Sequence, residues 1–90
     1  MIIVSYDIHD DKLRANFSKF LKKFGYRLQY SVYEVRNSDR ILNKIKLRIE
    51  HEFSKKFSQR DSVLIFLLSN TCEIVKYGYA KNDDSDLIVL

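Results

Sequence analysis

The hydrophobic period of the chain switches repeatedly between two and about 3.6, and this alternation limits the folds open to it more than any other feature. Residues 2–8 alternate strictly, with Ile2, Val4, Tyr6 and Ile8 on one face and Ile3, Ser5 and Asp7 on the other. An apolar residue on each face at the start of the segment predicts a central strand. Residues 11–24 then place Leu13, Phe17, Phe20, Leu21 and Phe24 on one helical stripe, with Lys12, Lys19, Lys22 and Lys23 off it. Asp10 or Asp11 can cap this helix, because a carboxylate accepts its unpaired first-turn amides. Gly25 stands where a left-handed residue would end it.

Residues 26–36 alternate again. Leu28, Tyr30, Val32 and Glu34 oppose Arg27, Gln29, Ser31, Tyr33 and Val35, in a segment long enough for a bulge or two short strands. Asn37 or Ser38 can cap a second helix over 39–57, whose stripe is Ile41, Leu42, Ile45, Ile49, Phe53 and Phe57. Ser62–Leu68 reads as a buried strand and Thr71–Tyr77 as another, ended by Gly78. Residues 81–86 are polar, and Leu87-Ile88-Val89-Leu90 has strand propensity.

Two helices with one apolar stripe each must cover one face of a sheet. The expected class is therefore α+β, a ferredoxin-like βαββαβ sandwich with an extra C-terminal strand. Residues 1–80 form the domain and residues 81–90 a tail. Four apolar residues at a chain end make a poor exposed edge, so the tail is read as a strand exchanged across a homodimer.

Composition narrows the function. The first 80 residues hold fifteen Lys and Arg against nine Asp and Glu, which points to a polyanionic partner. The single cysteine, Cys72, excludes an internal disulfide framework. The longest apolar run, Val63–Leu68, is too short to span a bilayer, so no membrane association and a cytoplasmic location are expected. No phosphate-binding glycine loop, nucleophile elbow or zinc-ligand spacing occurs.

Two places can carry chemistry. Asp7 sits near the C-terminal end of the first strand, where it either caps the strand–helix turn or offers a carboxylate to a metal ion. Mg²⁺ accepts one or two carboxylates with water and phosphate. A two-fold axis near Asp7 would supply a second copy. His9, two residues on, is a surface or packing residue and only a faint candidate. The second place is the polar face of Arg27, Gln29, Ser31 and Tyr33 beside Arg14, because guanidinium forks and neutral hydroxyl and amide donors suit phosphate oxygens.

Two segments in order, Val4-Ser5-Tyr6-Asp7-Ile8-His9-Asp10-Asp11-Lys12-Leu13-Arg14 and Gly25-Tyr26-Arg27-Leu28-Gln29-Tyr30-Ser31-Val32-Tyr33-Glu34, resemble the CRISPR-associated endoribonuclease family, the small adaptation subunit. The resemblance spans essentially the whole chain. It implies a ferredoxin-like homodimer with exchanged C-terminal strands, in which Asp7 pairs with its twin to hold Mg²⁺. It also implies nucleic-acid contacts at Arg14, Arg27, Ser31 and Tyr33, where the family usually has phenylalanine at the last. Some members carry a further basic residue two places after the helix arginine; here it is Asn16. The implied role is to bridge CRISPR integrase subunits and hold prespacer duplex DNA during spacer acquisition, with Mg-dependent endonuclease activity on RNA or DNA ranked second. The alternative is a stand-alone, toxin-like, metal-dependent endoribonuclease.

Overall fold

The computed structural model describes residues 1–75, 77 and 78. Strand β1 (Ile2–Asp7) leads into helix α1 (Asp11–Lys22), then β2 (Gly25–Gln29), β3 (Val32–Val35), helix α2 (Asp39–His51), a 3-10 turn at Phe53–Lys56, and β4 (Ser62–Leu67). The sheet order is β2-β3-β1-β4, and every neighbouring pair is antiparallel. This is the expected ferredoxin-like arrangement, with β1 in the interior of the sheet.

The register explains the core. Val4 lies opposite Tyr33 on β3 and Ile65 on β4, so these three share one face with Ile2, Tyr6 and Val35. Both helices lay their stripes on that face. Val4, Phe17, Leu21, Tyr33 and Ile45 are fully buried there. Phe17 meets Tyr6 and Phe53 edge to face at 5.0 and 4.9 Å, a geometry that aromatic quadrupoles favour. The opposite sheet face carries Ile3, Val32, Leu64 and Phe66 by the same register, and Leu64 and Phe66 are exposed.

Local chemistry settles the caps. Asp10 Oδ2 accepts from Leu13 N at 2.8 Å and Ser38 Oγ from Ile41 N at 3.4 Å, so Asp10 and Ser38 are the N-caps.

Several expectations are corrected. Gly25 is not a left-handed helix terminator but the first residue of β2, opposite Val35. Its requirement is space: a Cβ there would overlap the Glu34 carbonyl oxygen and come within 2.6 Å of Val35 Cα. Among the described residues positive φ falls instead on Ser31 (67°) and Gly78 (75°). Ser31 forms the β2–β3 turn, which divides the expected 26–36 segment in two.

A register shift between Arg27 and Gln29 moves Gln29 to the face of Val32, away from Arg27 and Tyr33. The second helix stops at His51 rather than 57, because Glu52 (φ −126°, ψ −65°) breaks it before the 3-10 turn. Thr71–Val75 form no strand. A turn in which Cys72 N donates to Ser69 O closes β4, and alternation without a paired ladder does not make a strand. The 81–90 tail and its expected exchanged strand lie outside the described residues.

Candidate functional site

The chemistry-bearing residues gather where β1 ends and α1 begins. Asp7, the last residue of β1, pairs across the ladder with Ser62, and its side chain is 73% exposed. The same register brings Asp61, the residue before β4, against the segment that follows Asp7. Asp61 accepts the backbone N–H groups of His9 at 2.9 Å and Ser58 at 2.8 Å. These backbone bonds, Ser58 first, hold its carboxyl down at about 2. The same Oδ1 lies 3.2 Å from His9 Nδ1, and the other ring nitrogen, Nε2, lies 3.8 Å from Asp7 Oδ1. Asp7, His9 and Asp61 thus form a chain across the strand ends.

Asp61 reads in the sequence only as a turn residue. Its partner is 52 residues away, and no local pattern announces it. Among the described residues no group of three or more His, Cys, Asp and Glu side chains gathers as a metal cage. One exposed strand-end carboxylate does fit the sparing protein ligation that Mg²⁺ accepts, with water and phosphate completing the shell.

A basic groove opens beside this end, between α1 and the β2–β3 hairpin. Its volume is about 590 Å³, and its walls include Arg14, Lys19, Lys22 and Arg27 with Tyr6 and Tyr30. Arg14 Nη1 donates to the carbonyls of Ile8 (3.0 Å) and His9 (3.4 Å), and Nη2 pairs with Asp11, one turn away. The Asp11 bond is the largest of the influences that raise the affinity of Arg14 for its proton. Arg14 therefore braces the segment just after Asp7 while facing the groove.

Arg27 is held from beneath. Its Nε and Nη2 donate to Tyr33 Oη at 3.3 and 3.2 Å, and Nη2 also donates to Ser18 Oγ at 3.1 Å. Its guanidinium carbon lies 5.6 Å from the centre of the Tyr33 ring. Ser18 and Tyr33 share a hydrogen bond of 2.5 Å within the protein. Tyr6 stacks near Tyr33 with ring centres 6.3 Å apart, and burial pushes its phenol up, partly countered by a bond with Ser18.

The expected nucleic-acid contacts therefore separate into two kinds. Arg14 and Arg27 line the groove. Tyr33 is completely buried, so it supports Arg27 from the core rather than presenting a surface of its own. Ser31 is half-buried in the hairpin turn, where its carbonyl accepts from Tyr6 N at 3.0 Å. Gln29 has left this face through the register shift. Nothing in the sequence marks Ser18. A lone hydroxyl beside a Phe and Leu stripe gives no sign that it will meet an arginine from another element.

The profile of the CRISPR associated protein Cas2 family matches residues 1–74. The chain belongs to the Cas2 family. A CRISPR-associated endoribonuclease Cas2 of Thermus thermophilus is 30% identical over 92 residues, covering 97% of this chain and 95% of its own. One from Mycobacterium tuberculosis is 32% identical over 78 residues, covering 86% of this chain and 65% of its own. Among solved structures, a crystal structure of cas2 superposes with a TM-score of 0.72 at 25% identity, covering 97% of this chain and 95% of that one. A hypothetical protein from Thermus thermophilus, TT1823, superposes with a TM-score of 0.65 at 28% identity, covering 82% and 87%. Membership ties the chain to CRISPR systems and places the strand-end Asp7 and the groove in a Cas2 scaffold. Among the described residues no helix is long and apolar enough to cross a membrane.

Proposed function

We propose that this Cas2-family chain acts in CRISPR adaptation as a homodimer that holds duplex DNA and joins integrase subunits. The observation that carries this reading is the groove. Arg14 and Arg27 line it with Lys19 and Lys22, and among the described residues Asp11 is the only acidic one in its walls. Guanidinium forks suit phosphate oxygens, and Arg27 starts with its orientation set by Tyr33 and Ser18, so less side-chain freedom is lost on binding. Such contacts position a backbone and carry little base information, as suits a scaffold that must accept spacers of any sequence.

The test is duplex affinity against salt. Each phosphate neutralised contributes roughly −0.9 to the slope of log K against log salt for B-DNA. Replacing Arg14 and Arg27 together by alanine removes both arginines from each protomer and should flatten the slope for the dimer by about 3.6. A slope unchanged in the double variant would refute the groove as the binding surface.

The exposed carboxylate at the end of β1 supports a second activity, metal-dependent cleavage of RNA or DNA, in keeping with the endoribonuclease naming of the relatives. Asp7 would hold the divalent ion, Mg²⁺ in this reading, and the bound ion would neutralise charge at the scissile phosphate. Arg14 keeps the adjoining backbone in place through the carbonyls of Ile8 and His9. Asp7→Ala should abolish cleavage and leave duplex binding intact. Cleavage that persists would locate the activity elsewhere.

A further inference from the structure

His9 sits in an arrangement that its role as a surface residue does not require. Its ring is gripped at one nitrogen: Nδ1 lies 3.2 Å from Asp61 Oδ1, while the Asp61 carboxylate is itself fixed by the backbone N–H groups of His9 and Ser58. The Asp61 side chain is only 3% exposed, so the acceptor on that side does not move away into water. A carboxylate accepts and cannot donate, so the neutral ring places its proton on Nδ1 and its lone pair on Nε2. That lone pair lies on the side of Asp7, with Nε2 3.8 Å from Asp7 Oδ1.

A carboxylate that orients a histidine from behind, leaving the second nitrogen bare beside another ligand, is the usual outer support of a metal-bound imidazole. Neighbouring ligands on a divalent ion with bonds of roughly 2.0–2.2 Å stand about 3.0–3.5 Å apart, so these exposed side chains need to close by less than about 1 Å from their 3.8 Å separation for one ion to touch both atoms. His9 is 37% and Asp7 73% exposed, which leaves room for water or phosphate oxygens in the remaining positions.

We infer that His9, oriented by Asp61, is a second metal ligand beside Asp7, and that this pair favours a nitrogen-seeking divalent ion such as Co²⁺ or Ni²⁺ over Mg²⁺. The inference rests on the reading of Asp7 as a metal ligand and adds the residue that sets the choice of ion. The reason is ligand chemistry: carboxylate and water alone suit Mg²⁺, whereas an imidazole nitrogen adds affinity for the later first-row ions. Asp61 is a positioning residue here, since it acts through the ring and not on the ion.

The experiment is metal binding to the full chain, with Co²⁺ and Mg²⁺ as the probes and no nucleic acid present. Calorimetry supplies the affinities. Proton NMR of the histidine rings supplies the site, because the chain has only two histidines and His51 serves as an internal control. Wild type should bind Co²⁺ at least ten-fold more tightly than Mg²⁺, and Co²⁺ should shift the His9 ring resonances and spare those of His51. In His9→Gln the Co²⁺ advantage should disappear while Mg²⁺ affinity stays. Asp61→Asn should weaken Co²⁺ binding about ten-fold or more, the usual cost of losing such an outer partner. Asp7→Asn should weaken both ions.

If His9→Gln binds Co²⁺ like wild type while Asp7→Asn does not, His9 is no ligand and the Asp7 reading survives. If Asp7→Asn binds both ions like wild type, or wild type binds neither, the Asp7 reading fails and takes the inference with it.

Discussion

Replacing Tyr33 by phenylalanine removes one oxygen atom from the support of Arg27 and keeps the ring. In the native protein that oxygen meets Arg27 Nε, Arg27 Nη2 and Ser18 Oγ. Hydrogen bonds to charged groups contribute about 1.5–3 kcal/mol, and a buried partner left unpaired costs about 1–3 kcal/mol. Two features hold the loss to the low end. Arg27 keeps its bond to Ser18, and Arg27 borders the groove, where water reaches it.

The expected destabilisation is therefore about 1–2 kcal/mol, or roughly 5–15 °C in melting temperature for a domain of this size. Urea unfolding of Tyr33→Phe, Ser18→Ala and the double variant reads the stability, and the double-mutant cycle should show coupling above about 0.5 kcal/mol. Duplex affinity should also fall in Tyr33→Phe, and that drop should vanish when Arg27 is already alanine. Equal stability of wild type and Tyr33→Phe, or full additivity with Ser18→Ala, would refute the view that the hydroxyl holds the guanidinium.

Gly25→Ala should cost about 3 kcal/mol, the upper range for overpacking, because the new Cβ meets the backbone of Glu34 and Val35 and not a movable side chain; a thermal melt within about 2 °C of wild type would show that β2 and β3 can part there without cost. Asp61 has its carboxyl held at about 2 against the ordinary 3.8, so its stabilisation is fully present above pH 3.8 and is lost as the pH falls toward 2. In Asp61→Asn the fall in stability across that window should be shallower than in wild type, and identical acid-unfolding profiles would contradict the assignment. Removing Leu87–Leu90 should weaken the homodimer proposed above, and an unchanged sedimentation profile would exclude strand exchange by the tail.

The order of the elements was legible because hydrophobic period is a local property. Ile2, Val4 and Tyr6 mark a strand and Leu13, Phe17 and Phe20 a helix without reference to anything distant, and two single-striped helices leave few ways to cover a sheet. Asp7, Arg14 and Arg27 stood out for the same reason, as ionic residues at places that a local pattern defines. Element ends were less legible. Gly25 gave a terminator signal in a helical context, yet its place is decided by how closely the β3 backbone approaches.

Register and packing decided the rest. A bulge of one residue put Arg27 with Tyr33 and sent Gln29 to the opposite face, since side chains alternate along a strand and one extra residue reverses them. Tyr33 became a buried support and not a contact surface because its position opposite Val4 places it on the core face, where its hydroxyl meets Ser18 of α1. Asp61 met His9 only because β4 lies beside β1 with Ser62 opposite Asp7. Pairings across 52 residues depend on that register, and no window of sequence contains both partners.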